Sequence, residues 1–376
     1  MPGWPCYSEE EIKAVSDVLR SGNVNYWTGE QCKRFEFEFA EYVGVEYAVA
    51  VANGTVALDL ALKALDIGEG DEVIVTPRTF IASVSSIINA GATPVFADVD
   101  LDSQNITAKT IAAVLSEKTR AVVCVHLAGW PCDLEPIMNL AEENNFYVIE
   151  DCAQAHGAKI DGNSVGSVGH VGCWSFCQDK IISTGGEGGM VTTGSQDLWR
   201  KIWSYKDHGK SFEAVHNKNH GAGYRWLHES FGTNWRLTEM QAAIGRLQLG
   251  WLPDWQKLRW RNASRIWNTA RKIDVLRAPS VPENIVHAAY KCYVFVMDGK
   301  REVYQEKIND LGVQCFTGSC PEIYREKAFE DTGYKPRLGL PNAKELGEQS
   351  LMFDCHQNLE EIDLERICSA IEKVIS

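Results

Sequence analysis

No stretch of the 376-residue chain approaches the roughly 20 consecutive apolar residues of a membrane span. The opening MPGWPCYSEEEIK has neither the basic nor the apolar region of a secretory signal, so the cytoplasm is the expected location and no membrane is expected as partner. Positive charge is in short supply. Thirty-seven Lys and Arg face 51 Asp and Glu for a net charge of -14, which argues against a nucleic-acid partner. A phosphorylated ligand would then need a local cluster of donors working against the overall field. The 12 cysteines stand singly, as at Cys6, Cys124, Cys292 and Cys368, with no CxxC pair, so no metal site is expected. They read as reduced, mostly buried small side chains. Also missing are a P-loop GxxxxGK[ST], a GxGxxG joining the first strand to a helix, internal repeats and a Pro-rich linker. Those absences exclude a P-loop nucleotidase, weaken a Rossmann-type oxidoreductase, and predict lobes that are packed rather than tethered.

What is present is a regular alternation. Strands are predicted over Tyr47–Val51, Glu72–Thr76, Pro94–Ala97, Ala121–His126 and Phe146–Glu150, and helices over Thr55–Leu65, Phe80–Ala90, Ala108–Leu115 and Leu134–Asn144. Such alternation implies an α/β fold with a mostly parallel sheet and functional groups at the carboxyl ends of its strands. From Leu198 the texture changes, and residues 203–236 read as a long ordered loop rich in aromatics, His, Lys and Gly. Two helices, Thr238–Trp251 and Lys257–Lys272, then lead toward a smaller C-terminal lobe with a strand over Lys291–Met297 and a terminal helix over Leu359–Ile375. The expected division is 1–252 and 253–376.

Three constellations carry chemistry. Asn53-Gly54-Thr55 lies between a strand and a helix, where free N–H groups, a glycine's close approach and a hydroxyl make a phosphate site; an ordinary N-cap has the same composition. VIEDCAQAHGA, residues 148–158, ends an apolar strand in Glu150-Asp151 and brings Gln154 and His156 into a short following loop. Acids there also serve as caps or structural ion pairs. CWSFCQDKIISTGGEGGMVTT, residues 173–193, sets Lys180 between Ser175 and a glycine run. An acid for a protonated ring nitrogen, a lysine for an aldehyde, and hydroxyl and glycine donors for a phosphate are together the parts a pyridoxal phosphate site needs.

The ordered motifs NGTVALDLAL, TFIASVSSIINAGATPVFADVD, IEDCAQAHGA, WSFCQDKIISTGGEGGMVTT and GTNWRLTEMQAAIGRLQL closely resemble the DegT/StrS family of sugar-nucleotide aminotransferases, from about residue 4 to the C-terminus. The resemblance implies the fold type I architecture of pyridoxal-phosphate-dependent transferases: a mostly parallel seven-stranded sheet in a large domain, a small α+β C-terminal domain, and a homodimer with shared active sites. It places Lys180 at the family's Schiff-base position, Asp151 at the acid pairing with the pyridine nitrogen, and Gln154 near the cofactor's ring hydroxyl. Phe80 matches the aromatic that stacks on the ring, Gly54, Thr55 and Ser175 match phosphate contacts, and Asn234 matches the asparagine that reaches the other subunit's cofactor.

The same resemblance implies that L-glutamate is the amino donor and a nucleotide-linked keto sugar the acceptor, for a surface polysaccharide such as an O-antigen. The run Ser183-Thr184-Gly185-Gly186-Glu187-Gly188-Gly189 favours amination at C-4 of a 4-keto-6-deoxy sugar, with one glycine more than the commonest form before Glu187; C-3 amination is the alternative. Lys206, His208, Arg225 and Tyr324 are candidate substrate contacts, each with a structural or solvated role as the plainer reading. A sugar dehydratase of this family would replace Lys180 by histidine, which this chain does not. A non-catalytic relative is disfavoured because Lys180, Asp151 and Gln154 are all intact.

Overall fold

The computed structural model describes residues 3–216 and 223–375. Its strands are β1 (Tyr47–Val51), β2 (Glu72–Val75), β3 (Thr93–Phe96), β4 (Thr119–Val125), β5 (Tyr147–Asp151), β6 (Lys159–Ile160), β7 (Asn163–Ser164), β8 (Val171–Ser175), β9 (Gly189–Thr193), β10 (Leu276–Arg277), β11 (Ile285–Val286), β12 (Cys292–Val296) and β13 (Ser350–Phe353). Seven of them form one sheet in the order β1-β9-β8-β5-β4-β2-β3, in which only β9 runs against its neighbours. The mostly parallel sheet is the expected one. Helices cover both faces, so its strands are apolar on both sides: every residue of β8 and β9 is buried, as are the last three of β2.

Two three-stranded sheets, β10-β12-β13 and β11-β6-β7, complete the fold. The first belongs to the C-terminal part, yet Tyr293 and Phe295 of β12 pack into the same core as Ile74 and Val122 of the large sheet. The lobes are therefore joined by packing.

The predicted helices are present with two differences, and unpredicted helices also form over Glu9–Ser21, Gln31–Val43, Arg301–Asp310 and Pro341–Gln349. The helix expected from Phe80 begins at Ala82, leaving Phe80 in the turn before it. The two helices expected either side of Pro253 are one, Glu239–Ala270. Thr238 starts it with a capping box, its hydroxyl accepting from the Gln241 N–H while the Gln241 side chain accepts from the Thr238 N–H. Pro253 removes a hydrogen bond, a cost of about 3 kcal/mol in a free helix. Both halves are held by separate cores, Leu249 and Leu252 in one and Ala263, Ile266 and Trp267 in another, and that burial carries the helix through the proline. Among the described residues no helix is long and apolar enough to cross a membrane.

Residues predicted as one long loop are partly helical, over Gln196–Lys206 and Phe212–His216. Backbone bridges Asp207–Asn234 and Lys210–His228 tie the remainder together. Residues 217–222 of that segment lie outside the described residues.

Candidate active site

Because β1, β2, β5 and β8 are parallel, their carboxyl ends lie along one edge of the sheet, beside the start of antiparallel β9. A cavity of about 1140 Å³ opens there, lined by Gly54, Thr55, Phe80, Asp151, Gln154, Ser175 and Lys180. Seven of the residues singled out in the sequence thus meet in one place.

Local rules explain each placement. The helix after β1 begins at Gly54, and the Asn53 side chain accepts from the Val56 N–H at 2.9 Å. The N–H groups of Gly54 and Thr55 precede the first intrahelical bond and have no helical acceptor. A Cβ on Gly54 would stand 2.6 Å from the Cβ of Ser175, so the close approach requires glycine. Strand alternation separates Glu150 from Asp151. Asp151 faces the cavity, where Oδ2 accepts from Ser83 Oγ at 2.8 Å and Oδ1 from the Ala153 N–H at 3.1 Å. Glu150 points the other way, accepting the N–H groups of Gly166, Val168 and Gly169 and facing His126 Nε2 at 2.9 Å. Cys132 donates its N–H to His126 Nδ1, so the ring carries its proton on Nε2, toward Glu150. With Cys152, these two groups have metal-ligand spacing, but their donor and acceptor sites are already used.

Gln154 Oε1 accepts the Ala128 N–H at 2.9 Å, which leaves its NH₂ to donate. Phe80 is 68% exposed in this chain, so its ring is a cavity wall and not core. Wholly buried His156 lies between the rings of Trp174 and Phe176; burial, then the positive charges of Lys180 and Arg259, pull its pKa down to about 3. It is neutral at physiological pH.

Other predicted residues stand elsewhere. Lys206 is a correction: it is wholly buried, with Nζ 3.4 Å from Glu36 Oε1 and 3.9 Å from the centre of the Tyr26 ring, and it does not line the cavity. Its charge serves packing, not a ligand in this cavity. Tyr324 is buried too, donating its hydroxyl to Glu322, while Ile323 and Glu326 beside it reach the cavity. His208 is exposed at φ 60°, and Arg225 is exposed with Nη2 on the Val215 carbonyl. Asn234 stands off this chain's cavity, bridged to Asp207.

The sequence reading missed Tyr290, Asp179, Ser83 and Lys291, all of which line the cavity. Lys180 and Lys291 are its only cationic lining residues among those described, against the acids Asp151, Asp179, Glu187 and Glu326. The extra glycine before Glu187 is taken up in a turn where Gly185 and Gly186 adopt φ 79° and 114°. Thr184 Oγ1 and Gln241 Nε2 both donate to the Glu187 carbonyl, and the Glu187 residue stays on the cavity wall.

A lysine amine and a carboxylate across a cavity from a glycine-lined helix start, at the carboxyl edge of this sheet, fit pyridoxal phosphate, and the class is the fold type I, pyridoxal-phosphate-dependent transferases. Residues 5–372 match the DegT/DnrJ/EryC1/StrS aminotransferase family, and the chain belongs to it. It is a pyridoxal-phosphate-dependent sugar aminotransferase. A solved aminotransferase from Psychrobacter cryohalolentis is 57% identical with a TM-score of 0.98, covering 99% of this chain and 98% of that one. The spore coat polysaccharide biosynthesis protein SpsC of Bacillus subtilis is 34% identical over 99% of this chain and 96% of its own. A UDP-N-acetyl-3-dehydro-alpha-D-glucosamine 3-aminotransferase of Acidithiobacillus ferrooxidans is 34% identical over 98% of this chain and 94% of its own.

Proposed function

We propose that the chain transfers an amino group from L-glutamate to C-4 of a nucleotide-linked 4-keto-6-deoxy sugar. The observation that supports this position is Glu187, kept on the cavity wall within a run of the C-4 type despite the added glycine. The chain is read as working in the cytoplasm as a homodimer, toward a surface polysaccharide, in keeping with the name of the Bacillus relative. Residues 1–252 are read as the cofactor domain and 253–376 as the smaller one, the Glu239–Ala270 helix running across the division.

Pyridoxal phosphate, when bound, supplies an electron sink for the charge left as the donor's α-hydrogen departs. The residues around it divide the remaining work. Gly54, Thr55 and Ser175 offer N–H and O–H donors to its phosphate. Asp151, steadied by Ser83 and the Ala153 N–H, holds a proton on the ring nitrogen. Gln154 has its NH₂ for the ring hydroxyl, and Phe80 offers an aromatic face. Lys180 would hold the cofactor through its amine and, when that amine is released, would serve as the base for the donor's α-hydrogen and as the acid that returns a proton on the sugar side. Asn234 is assigned to the partner subunit's cofactor. Arg225 and His208, exposed on the loop that carries Asn234, remain candidates for the sugar nucleotide, whose diphosphate finds few cations in this chain's own cavity.

Amination at C-3 is the second reading, favoured by the Acidithiobacillus relative, whose name specifies a 3-aminotransferase. Incubating enzyme and glutamate with UDP-, dTDP- and GDP-linked 3- and 4-keto-6-deoxy sugars, then locating the new amine by NMR, decides between them. An amine found only at C-3 overturns the C-4 proposal.

A further inference from the structure

Lys180 does not end free in the cavity. Its Nζ lies 3.3 Å from the Tyr290 hydroxyl oxygen and 3.6 Å from Asp179 Oδ1. Chemistry fixes the direction of these contacts. Burial pushes the Asp179 carboxyl up, but the Lys180 ammonium, the Tyr290 hydroxyl and Lys291 together outweigh it and hold the group below the usual carboxylate range. Asp179 is thus an acceptor only, and Tyr290 gives it its single O–H in a short hydrogen bond. That proton stays on the phenol, whose pKa is driven far up by burial and then by the Asp179 anion. The lone pairs of the Tyr290 oxygen are left for a donor, and Lys180 is that donor.

Tyr290 is itself fixed to the cofactor side of the cavity. Its N–H donates to the Ala128 carbonyl at 3.0 Å, and the Ala288 N–H to the Gly129 carbonyl at 2.8 Å. Ala128, at φ 57°, gives its own N–H to Gln154 Oε1. One short segment therefore anchors Gln154 on one side and Tyr290 on the other.

We infer that Tyr290 is a positioning residue for Lys180: with Asp179 it receives the lysine's N–H whenever the amine is detached, and so keeps it within reach of the carbon whose proton it moves. This rests on the reading of Lys180 as the proton carrier. The proton taken from the donor's α-carbon becomes an N–H of the ammonium, which Tyr290 and Asp179 accept as a hydrogen bond without removing it. The other charged or titratable groups facing Tyr290 among the described residues are Lys291, Arg259 and Tyr293, and Asp179 is the one that accepts its O–H.

The test uses the cofactor-loaded protein, Tyr290→Phe, and Asp179→Asn as a variant that keeps the phenol. Borohydride reduction and peptide mapping should place the cofactor on Lys180 in each. Stopped-flow half-reactions with α-protio and α-deutero L-glutamate should be slower in Tyr290→Phe by about 10- to 100-fold, no more than the roughly 10²-fold lower bound of what general acid–base catalysis supplies, since the base itself is kept. The affinity for glutamate should hardly change, and the deuterium effect should grow. Asp179→Asn should shift in the same direction by less. In apoprotein, Lys180 of Tyr290→Phe should be arylated severalfold faster by trinitrobenzenesulfonate, because the amine has lost the acceptor that ties it down. Unchanged half-reaction rate and unchanged arylation in Tyr290→Phe overturn the inference. A Lys180→Ala protein that still loses the α-hydrogen at the parent rate overturns the underlying reading instead, whatever Tyr290 does.

Discussion

Gly54 and Ser175 face each other so closely that a Cβ on the glycine would lie 2.6 Å from the serine's Cβ and 3.1 Å from its Oγ. The contact joins the first turn of one helix to the end of β8, and both residues line the cavity. Gly54→Ala must move one of these elements apart from the other, and with it the donors proposed for the phosphate. We expect the variant to bind pyridoxal phosphate at least tenfold more weakly, a loss of about 1.4 kcal/mol. Absorbance titration of apoprotein measures it; an affinity equal to the parent's would show that the phosphate sits elsewhere.

Asp151→Asn keeps the shape of the side chain and removes its charge. The Ala153 N–H can still bond to the amide oxygen, and the Ser83 hydroxyl, now facing the amide NH₂, can accept where it had donated, so the fold and the cofactor content should persist. Turnover should fall by roughly 10²- to 10³-fold, the usual cost of one preorganised electrostatic group. Ser83→Ala, which leaves the charge but loosens it, should cost less. Steady-state rates on cofactor-saturated protein give both numbers, and an Asn variant within a few-fold of the parent would remove Asp151 from the mechanism.

Lys206→Ala tests the corrected role of that residue. The buried ammonium meets Glu36, whose carboxylate also accepts from the Ala50 N–H and the Tyr26 hydroxyl. Removing one partner of such a pair leaves the other poorly compensated, at about 3–5 kcal/mol. We expect a clear drop in the unfolding midpoint with the KM for the sugar nucleotide unchanged in the folded protein. A stable variant with a raised KM would return Lys206 to the substrate site.

Acid should destabilise the protein through its buried histidines. Burial lowers the pKa of His287 from 6.5 to about 3, and His156 reaches a similar value. Below 6.5 the unfolded chain binds protons that the folded one refuses. Their contribution to stability is therefore complete above about pH 6.5 and is lost progressively as pH falls toward 3, by up to ~1.4 kcal/mol per pH unit for each ring. His287→Gln should reduce the proton uptake on unfolding near pH 5 by about one, since a ring between these two pKa values is protonated only when unfolded. Calorimetric unfolding in buffers of different ionisation heat measures that uptake; no difference from the parent would mean that His287 is already charged in the fold.

Which parts of this site could be read in the sequence follows from how local each signal is. Asp151 and the Gly54 turn follow predicted strands, so a strand followed by a polar residue already places them at the sheet edge, whereas Ser175 ends β8, a strand the apolar pattern does not announce, and enters through the family motif. Tyr290 meets Lys180 across 110 positions, through a backbone bond to Ala128 that no pattern announces. Lys206 failed for the same reason: its charge is visible, but the burial that decides its role comes from Glu36, 170 positions away. Pro253 misled in the opposite sense, because a local breaking signal was overridden by the two cores that hold the helix on either side.

That override leaves a measurable residue. Pro253 is exposed within the Glu239–Ala270 helix, so its ring adds no core packing while it denies the Leu249 carbonyl a helical donor. Pro253→Ala restores the donor and the best helix former, worth up to about 3 kcal/mol. Against this, alanine frees the unfolded chain, which returns about 0.4–1 kcal/mol. We therefore expect a net gain of roughly 1–2 kcal/mol, read as a higher urea midpoint at an unchanged slope. A variant no more stable than the parent would mean that the helix has already bent to satisfy Leu249 by another route, and that the two cores are coupled through that bend.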